Sequence, residues 1–271
     1  MDKRPMLLLI DAGNTRVKWA CIDADSANDH LPFPPAWEAI ASVTHQGFDQ
    51  LLLSIRHYSV VRCVMSNVAG DAVKQELAQL LSISFPDLQI QSFNSQAQCA
   101  GVRNHYLHPG KLGSDRFASM IAAHTQFPNK NLIVATCGTA TTIDALTADG
   151  DFLGGMILPG LQLMANSLAK NTAQLPHIEQ HAQLSNLFAT DTDQAIASGC
   201  VHAQIGAIHC AVKNLEQHTG APVQLVISGG AAVYLVPHLK LIEDLQWRHS
   251  ENLVLTGLWI ASHLTQASIP S

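Results

Sequence analysis

Near the start of the chain, Asp11-Ala12-Gly13-Asn14-Thr15-Arg16-Val17-Lys18 places a carboxylate, a glycine turn and a lysine within one short stretch. A tight turn between strands exposes backbone N–H groups, and glycine lets a phosphate approach closely. Asn14 and Thr15 add side-chain donors, and Lys18 supplies a point positive charge. Asp11, at a strand end, can hold Mg²⁺ directly or through water. A plain hairpin turn whose Asp and Asn satisfy the backbone would have the same composition. Cys137-Gly138-Thr139-Ala140-Thr141-Thr142-Ile143-Asp144 repeats the chemistry: glycine at a turn, hydroxyls beside it, and a strand that ends in a carboxylate. Its bland reading is a Thr-rich strand, because β-branched residues favour pleated structure. Two such turns facing each other across a cleft would clamp a polyphosphate.

Two further groups lie elsewhere. Gly113-Ser114-Asp115-Arg116 stands at the start of an expected helix. A carboxylate there can take a proton from a substrate hydroxyl, and Arg116 can pair with an anionic group. An ordinary helix N-cap explains the Asp equally well. Ser228-Gly229-Gly230-Ala231 follows an apolar run, so its backbone can come close to a nucleotide base or ribose. A strand-to-helix turn would look the same.

The elements that must position these groups follow from the apolar pattern. Leu7–Ile10 and Arg16–Ile22 read as two strands around the first turn. Residues 23–37 read as a surface loop. Val60–Met65 is another apolar run, and Asp71 is expected to cap a helix from Ala72 to Leu81. A helix from Arg116 to Gln126 ends before Pro128. Strands at Asn131–Ala135 and Thr139–Leu146, then a third after Gly150-Asp151, repeat the opening pattern. Helices at Leu161–Lys170 and Asp193–Leu215, a strand at Val223–Ser228 and a helix at Leu253–Leu264 complete the chain. The restart of the hairpin pattern divides the chain into a first lobe, 1–118, carrying the first phosphate turn and the GSDR element. The second lobe, 119–271, carries the second turn and the diglycine.

Composition narrows the class. The 271 residues are 47% hydrophobic and 13% charged, which suits a well-packed globular protein. The formal net charge is −6 with no Lys/Arg cluster, so nucleic acid is not the expected partner. Met6–Ile10 is too short for a secretory apolar segment, and no run approaches the ~20 apolar residues that span a bilayer. A protein that stays in the cytoplasm, off the membrane, is expected. Six cysteines without a CxxC pair read as buried thiols, and His177 and His181 lack a third metal ligand.

DAGNTRVK, GSDR, GTATTID, GGMILPG, LAKNTAQLP, DTDQAIASG and SGG occur in the order seen in type III pantothenate kinases, and the chain resembles that family from residue 7 to its last helix. GSDR followed by GTATTID and the PG element is specific to the family. The hairpin turns alone indicate the wider sugar-kinase, heat-shock-chaperone and actin superfamily. The resemblance implies an α/β protein of two ribonuclease-H-like lobes (the actin-like ATPase fold), mixed sheets flanked by helices, ATP in the cleft, and a homodimer. It implies phosphorylation of pantothenate to 4'-phosphopantothenate with ATP and Mg²⁺, the first step of coenzyme A synthesis.

By the same resemblance, residues 11 to 18 (Asp11, Ala12, Gly13, Asn14, Thr15, Arg16, Val17, Lys18) and Thr139 contact ATP. Gly113, Ser114, Asp115 and Arg116 hold pantothenate, with Asp115 as proton acceptor, and Thr192 and Tyr106 line the same pocket. Gly229 and Gly230 stay with the nucleotide reading above. Family members often carry an Asp two residues before the Gly of GTATT, where it binds K⁺ or NH₄⁺. Here that residue is Thr136, a far weaker cation ligand. The Asn-Thr pair usual before the AxxSG stretch reads Asp191-Thr192, which adds a negative charge. Two rival readings stand beside this one: a kinase for another small hydroxy acid or sugar, and a nucleotide-binding regulator that has lost catalysis. The presence of Asp11, Lys18 and Asp115 favours the enzyme.

Overall fold

Alternate residues of the first strand, β1 (Pro5–Ala12), serve two separate cores. Met6, Leu8, Ile10 and Ala12 face one side, and Leu7 and Leu9 the other, as the two-residue side-chain period requires. A strand buried on both faces reads as the continuous apolar run seen in the sequence. The computed structural model describes residues 4–24, 35–169 and 187–264.

The chain forms two units, Met1–Gln126 with Leu253–Ser271, and Phe127–Asn252. In the first unit β1 pairs antiparallel with β2 (Arg16–Asp23), which pairs antiparallel with β3 (Ala39–Thr44). On its other side β1 pairs parallel with β4 (Ser59–Asn67), and β4 pairs parallel with β5 (Gln89–Ser92). The sheet order is β3-β2-β1-β4-β5. One face is covered by α1 (Phe48–Ile55) and α2 (Asp71–Ser84) through Phe48, Leu51, Ile55, Leu77 and Leu81. The opposite face meets α3 (Ser114–Gln126) through Ala118, and the C-terminal helix through Leu255, Leu258 and Trp259. A small hairpin, β6 (Gln98–Cys99) and β7 (Val102–Asn104), precedes α3.

The second unit repeats the plan. β8 (Asn131–Cys137) pairs antiparallel with β9 (Ala140–Leu146), and β9 antiparallel with β10 (Asp151–Pro159). β11 (Val223–Ser228) lies parallel to β8, and β12 (Trp247–His249) parallel to β11. Within this unit the order β12-β11-β8-β9-β10 is therefore that of the first unit, strand for strand. Helices α4 (Leu161–Ala169), α5 (Thr192–Thr219) and α6 (Ala232–Leu239) enclose a core with Ile133, Ala135, Cys137 and Ile227.

Several details differ from the sequence reading. The division falls after Gln126 rather than at 118, and the last helix, α7 (Leu253–Leu264), belongs to the first unit. Its apolar residues fill the space beside Ala118, which periodicity cannot reveal. Asp71 is the first residue of α2; Gly70 holds the cap position and no side chain caps it. α5, at 28 residues, is long and apolar enough to cross a membrane by length and mean composition alone, although it holds no continuous apolar run of that length. Its buried face, including Ala197, Val201, Ile208 and Val212, packs into the second unit's core, the place of a core helix. The LAKNTAQLP stretch beyond Ala169, His177, His181 and most of the 23–37 loop lie outside the described residues.

Candidate active site

The register of the first unit puts three polar side chains in one row. Asp11 on β1 is paired with Lys18 on β2 and with Ser66 on β4. Residues in register point to the same side of a sheet, and the preceding row, Leu9 with Ala20 and Val64, lies in the core beneath α3 and α7. The row therefore stands where that core ends and α3 begins, with Asp115 in its first turn.

The electrostatics follow from this placement. Asp11 is part-buried, and its carboxyl is pushed up to about 7, first by burial, then by the charge of Asp115, against the pull of Lys18. Burial also raises Asp115, opposed by the Arg116 backbone N–H and guanidinium. Two carboxylates that repel each other beside one lysine form a donor set into which a divalent cation fits.

Asp115 is not the N-cap. Its Oδ1 accepts the Arg116 N–H at 2.8 Å. A Cβ on Gly113 would come within 2.6 Å of that oxygen, so glycine makes room for the carboxylate. Arg116 is buried; its guanidinium donates to the Tyr106 hydroxyl at 2.9 Å and lies 5.7 Å from the Tyr106 ring centre. The loop carrying Tyr106 is held by Asn104, whose side chain donates to the Gln96 and Pro109 carbonyls and accepts the Tyr106 N–H at 3.1 Å. A planar guanidinium backed by a phenol suits a substrate carboxylate.

The first glycine turn is built as a hairpin closed by Gly13 N–H to the Arg16 carbonyl at 3.1 Å. Asn14, Thr15 and Arg16 are exposed, whereas Ala12 and Val17 are core residues rather than contact surface. Arg16 reaches back to the Ser42 hydroxyl at 2.9 Å. His45, absent from the sequence reading, meets the Gly13 carbonyl through Nε2 at 2.9 Å. Asn104, Ser66 and His45 had no sequence signal, because each acts through a partner distant in the chain.

In the second unit three glycine-bearing motifs converge on one turn. Thr139 is exposed at the β8–β9 turn, where Gly138 N–H donates to the Ala140 carbonyl at 3.0 Å. Gly160 donates to the Thr139 carbonyl at 2.9 Å, and a Cβ there would run into the Gly138 and Thr139 carbonyls. Gly229, at φ +93°, lies against the Cys137 backbone so closely that any Cβ would collide with it. Gly230 has open space where its Cβ would be, so the diglycine divides into a packing residue and a free one. Thr192 is exposed at the first position of α5. The adjoining Asp191 carboxylate accepts the Gln194 N–H at 2.9 Å, so the added charge serves as a helix cap.

Removing the Asp11 charge should stabilise the ligand-free protein above neutral pH. A carboxyl whose folded pKa stands above its ordinary value of 3.8 contributes stability that is complete below that value. That contribution disappears as pH rises through about 7. Asp11→Asn should therefore raise the melting temperature of ligand-free protein at pH 8 by about 5 °C and give little change at pH 5. Calorimetry at the two pH values checks this; an equal or lower melting temperature at pH 8 contradicts it.

Two units of one strand order, each with a glycine-containing turn between its first two strands, define an actin-like ATPase fold. Solved structures agree: the activator of 2-hydroxyisocaproyl-CoA dehydratase from Clostridium difficile matches with a TM-score of 0.51 at 12% identity, over 98% of both chains. The chain belongs to the type III pantothenate kinase family, whose model matches residues 7–214. The type III pantothenate kinase of Herminiimonas arsenicoxydans is 48% identical over 93% of this chain and 96% of its own. That of Janthinobacterium sp. (strain Marseille) is 47% identical over 93% and 96%.

Proposed function

We propose that the protein transfers the γ-phosphoryl group of ATP to the primary hydroxyl of pantothenate, giving 4'-phosphopantothenate, the first step of coenzyme A biosynthesis. The observation that carries this reading is the meeting of Asp11, Lys18 and Asp115 at the sheet end, with the buried Arg116 on the same helix start bonded to Tyr106 of the preceding loop. Phosphoryl transfer asks the protein mainly to position the reactants and offset charge. Asp115 orients the acceptor hydroxyl and takes its proton. Arg116 and Tyr106 hold the pantothenate carboxylate, with Gly113 and Ser114 forming the floor beneath. Lys18 offsets phosphate charge and the exposed turn residues Asn14 and Thr15 offer donors beside it, while Thr139 and Gly230 are assigned to the nucleotide on the sequence pattern and Gly229 packs against Cys137. Asp11 would hold Mg²⁺, which when bound supplies charge neutralisation at the phosphates. Thr192 is assigned to pantothenate on the family pattern.

The monovalent ion that the family pattern implies does not fit here. Thr136 stands in register between Thr142 and Ser228, a row of neutral hydroxyls with no carboxylate. We therefore read the enzyme as working without K⁺ or NH₄⁺. A homodimer in the cytoplasm, with no nucleic acid or membrane partner, completes the reading. In support of the dimer, β10 exposes Leu153, Met156 and Ile157 beside an apolar groove of about 620 Å³.

ADP release across a panel of hydroxy acids and sugars, in sodium buffer with and without K⁺ or NH₄⁺, tests both points. Pantothenate should be strongly preferred and the rate unchanged by the added ion. Preference for another acceptor overturns the substrate assignment, and a rate that needs the ion overturns the reading of Thr136.

A further inference from the structure

Ser66 and Ser114 form a buried hydroxyl pair, Oγ to Oγ at 2.8 Å, that joins the two parts of the proposed active site. Ser66 is fully buried and Ser114 nearly so. On β4, Ser66 is the register partner of Asp11, and on α3, Ser114 directly precedes Asp115. One hydrogen bond thus connects the neighbour of the proposed metal-holding carboxylate to the neighbour of the proposed base.

The surroundings show why such a link matters. Asp115 is fixed within its own helix start by the Arg116 N–H, and Gly113 is held by the Ser95 hydroxyl on its carbonyl at 3.3 Å. Those bonds set the carboxylate relative to α3. They do not set α3 relative to the Asp11–Lys18 row on the sheet. The apolar core supports α3 further along, at Ala118, but dispersion contacts there have no directional preference. The Ser66–Ser114 bond is directional and sits in the row itself, where two carboxylates repel each other. A hydroxyl buried without a partner is costly, so the pair resists separation.

We propose that Ser66 is a positioning residue for phosphoryl transfer: its hydrogen bond to Ser114 holds the first turn of α3 against β4 and so fixes the Asp115 carboxylate relative to Asp11 and Lys18. This rests on the reading of Asp115 as the proton acceptor. Ser66 touches neither substrate. Its effect should therefore appear in turnover and not in ATP binding, because a small misplacement of a catalytic group lowers the rate steeply.

The test is steady-state kinetics and melting temperature for S66A, S114A and the S66A/S114A double variant, with D115N alongside. S66A should lower kcat about 10- to 100-fold with KM for ATP within about twofold of the wild type. S114A removes the same bond and also part of the pantothenate floor, so it should lose at least that factor, and the double variant should be no worse than S114A alone. If S66A fails to fold, S114A, at the edge of the pair, carries the same prediction. Wild-type kcat in S66A, or losses that multiply in the double variant, overturns the proposal. If D115N is inactive while S66A is fully active, Asp115 keeps its role and the positioning role of Ser66 alone fails. If D115N stays active, the reading beneath the proposal fails, and the proposal with it.

Discussion

Asp115→Asn should lower turnover by about 10³-fold while leaving ATP affinity close to that of the wild type and the melting temperature no lower. The amide has the carboxylate's shape and can still accept the Arg116 N–H, so the start of α3 has no reason to move. What it cannot do is take a proton from the acceptor hydroxyl. Burial makes the Asp115 carboxyl more basic than an exposed one, which suits a proton acceptor. The substitution also removes a charge that raises Asp11, so Asp11 should ionise more readily in the variant. Stopped assays with calorimetric ATP titration give both numbers. Near-normal turnover would remove Asp115 from the mechanism, and lost ATP binding would make its role structural.

Gly257→Ala should destabilise the first unit by on the order of 3 kcal/mol and lower activity in whatever protein still folds. Gly257 lies in α7 against α3, and a Cβ there would drive into the Ala118 carbonyl. Backbone cannot swing aside as a side-chain end can, so the two helices must separate. α3 carries Asp115 in its first turn, and Ala118 is one turn away, so the shift reaches the site. Thermal melts and kcat measured together check this. A variant with the wild-type melting temperature would mean that α7 does not pack on α3 this closely.

Much of this arrangement could be read from residue types. The two hairpins, the apolar runs at Val60–Met65 and Val223–Ser228, and a helix over Asp193–Leu215 are legible from apolar pattern and turns, and each lies within a strand or helix of the structure. Asp11, Lys18, Asp115 and Arg116 were legible because their motifs are local. What was hidden depends on distance along the chain. Leu253–Leu264 looked like any apolar helix, and only folding returns it to the first unit. Strands β3, β5, β6, β7 and β12 are short or half-exposed and lack a clear period. Gly229 reads in the sequence as room for a nucleotide base or ribose, and Gly160 only as part of GGMILPG, yet both are required by backbone crowding at the second turn. In the sequence Ser66 reads as no more than the end of an apolar run, because its partner lies 48 residues away.

The most direct test of the central claim is the mass of the product formed from pantothenate, ATP and Mg²⁺. The account predicts pantothenate carrying one added phosphoryl group on its primary hydroxyl, one ADP released per product, and both formed about 10³-fold more slowly in D115N. ATP consumed without phosphorylated pantothenate, or folded protein that binds ATP and makes no product, would contradict it.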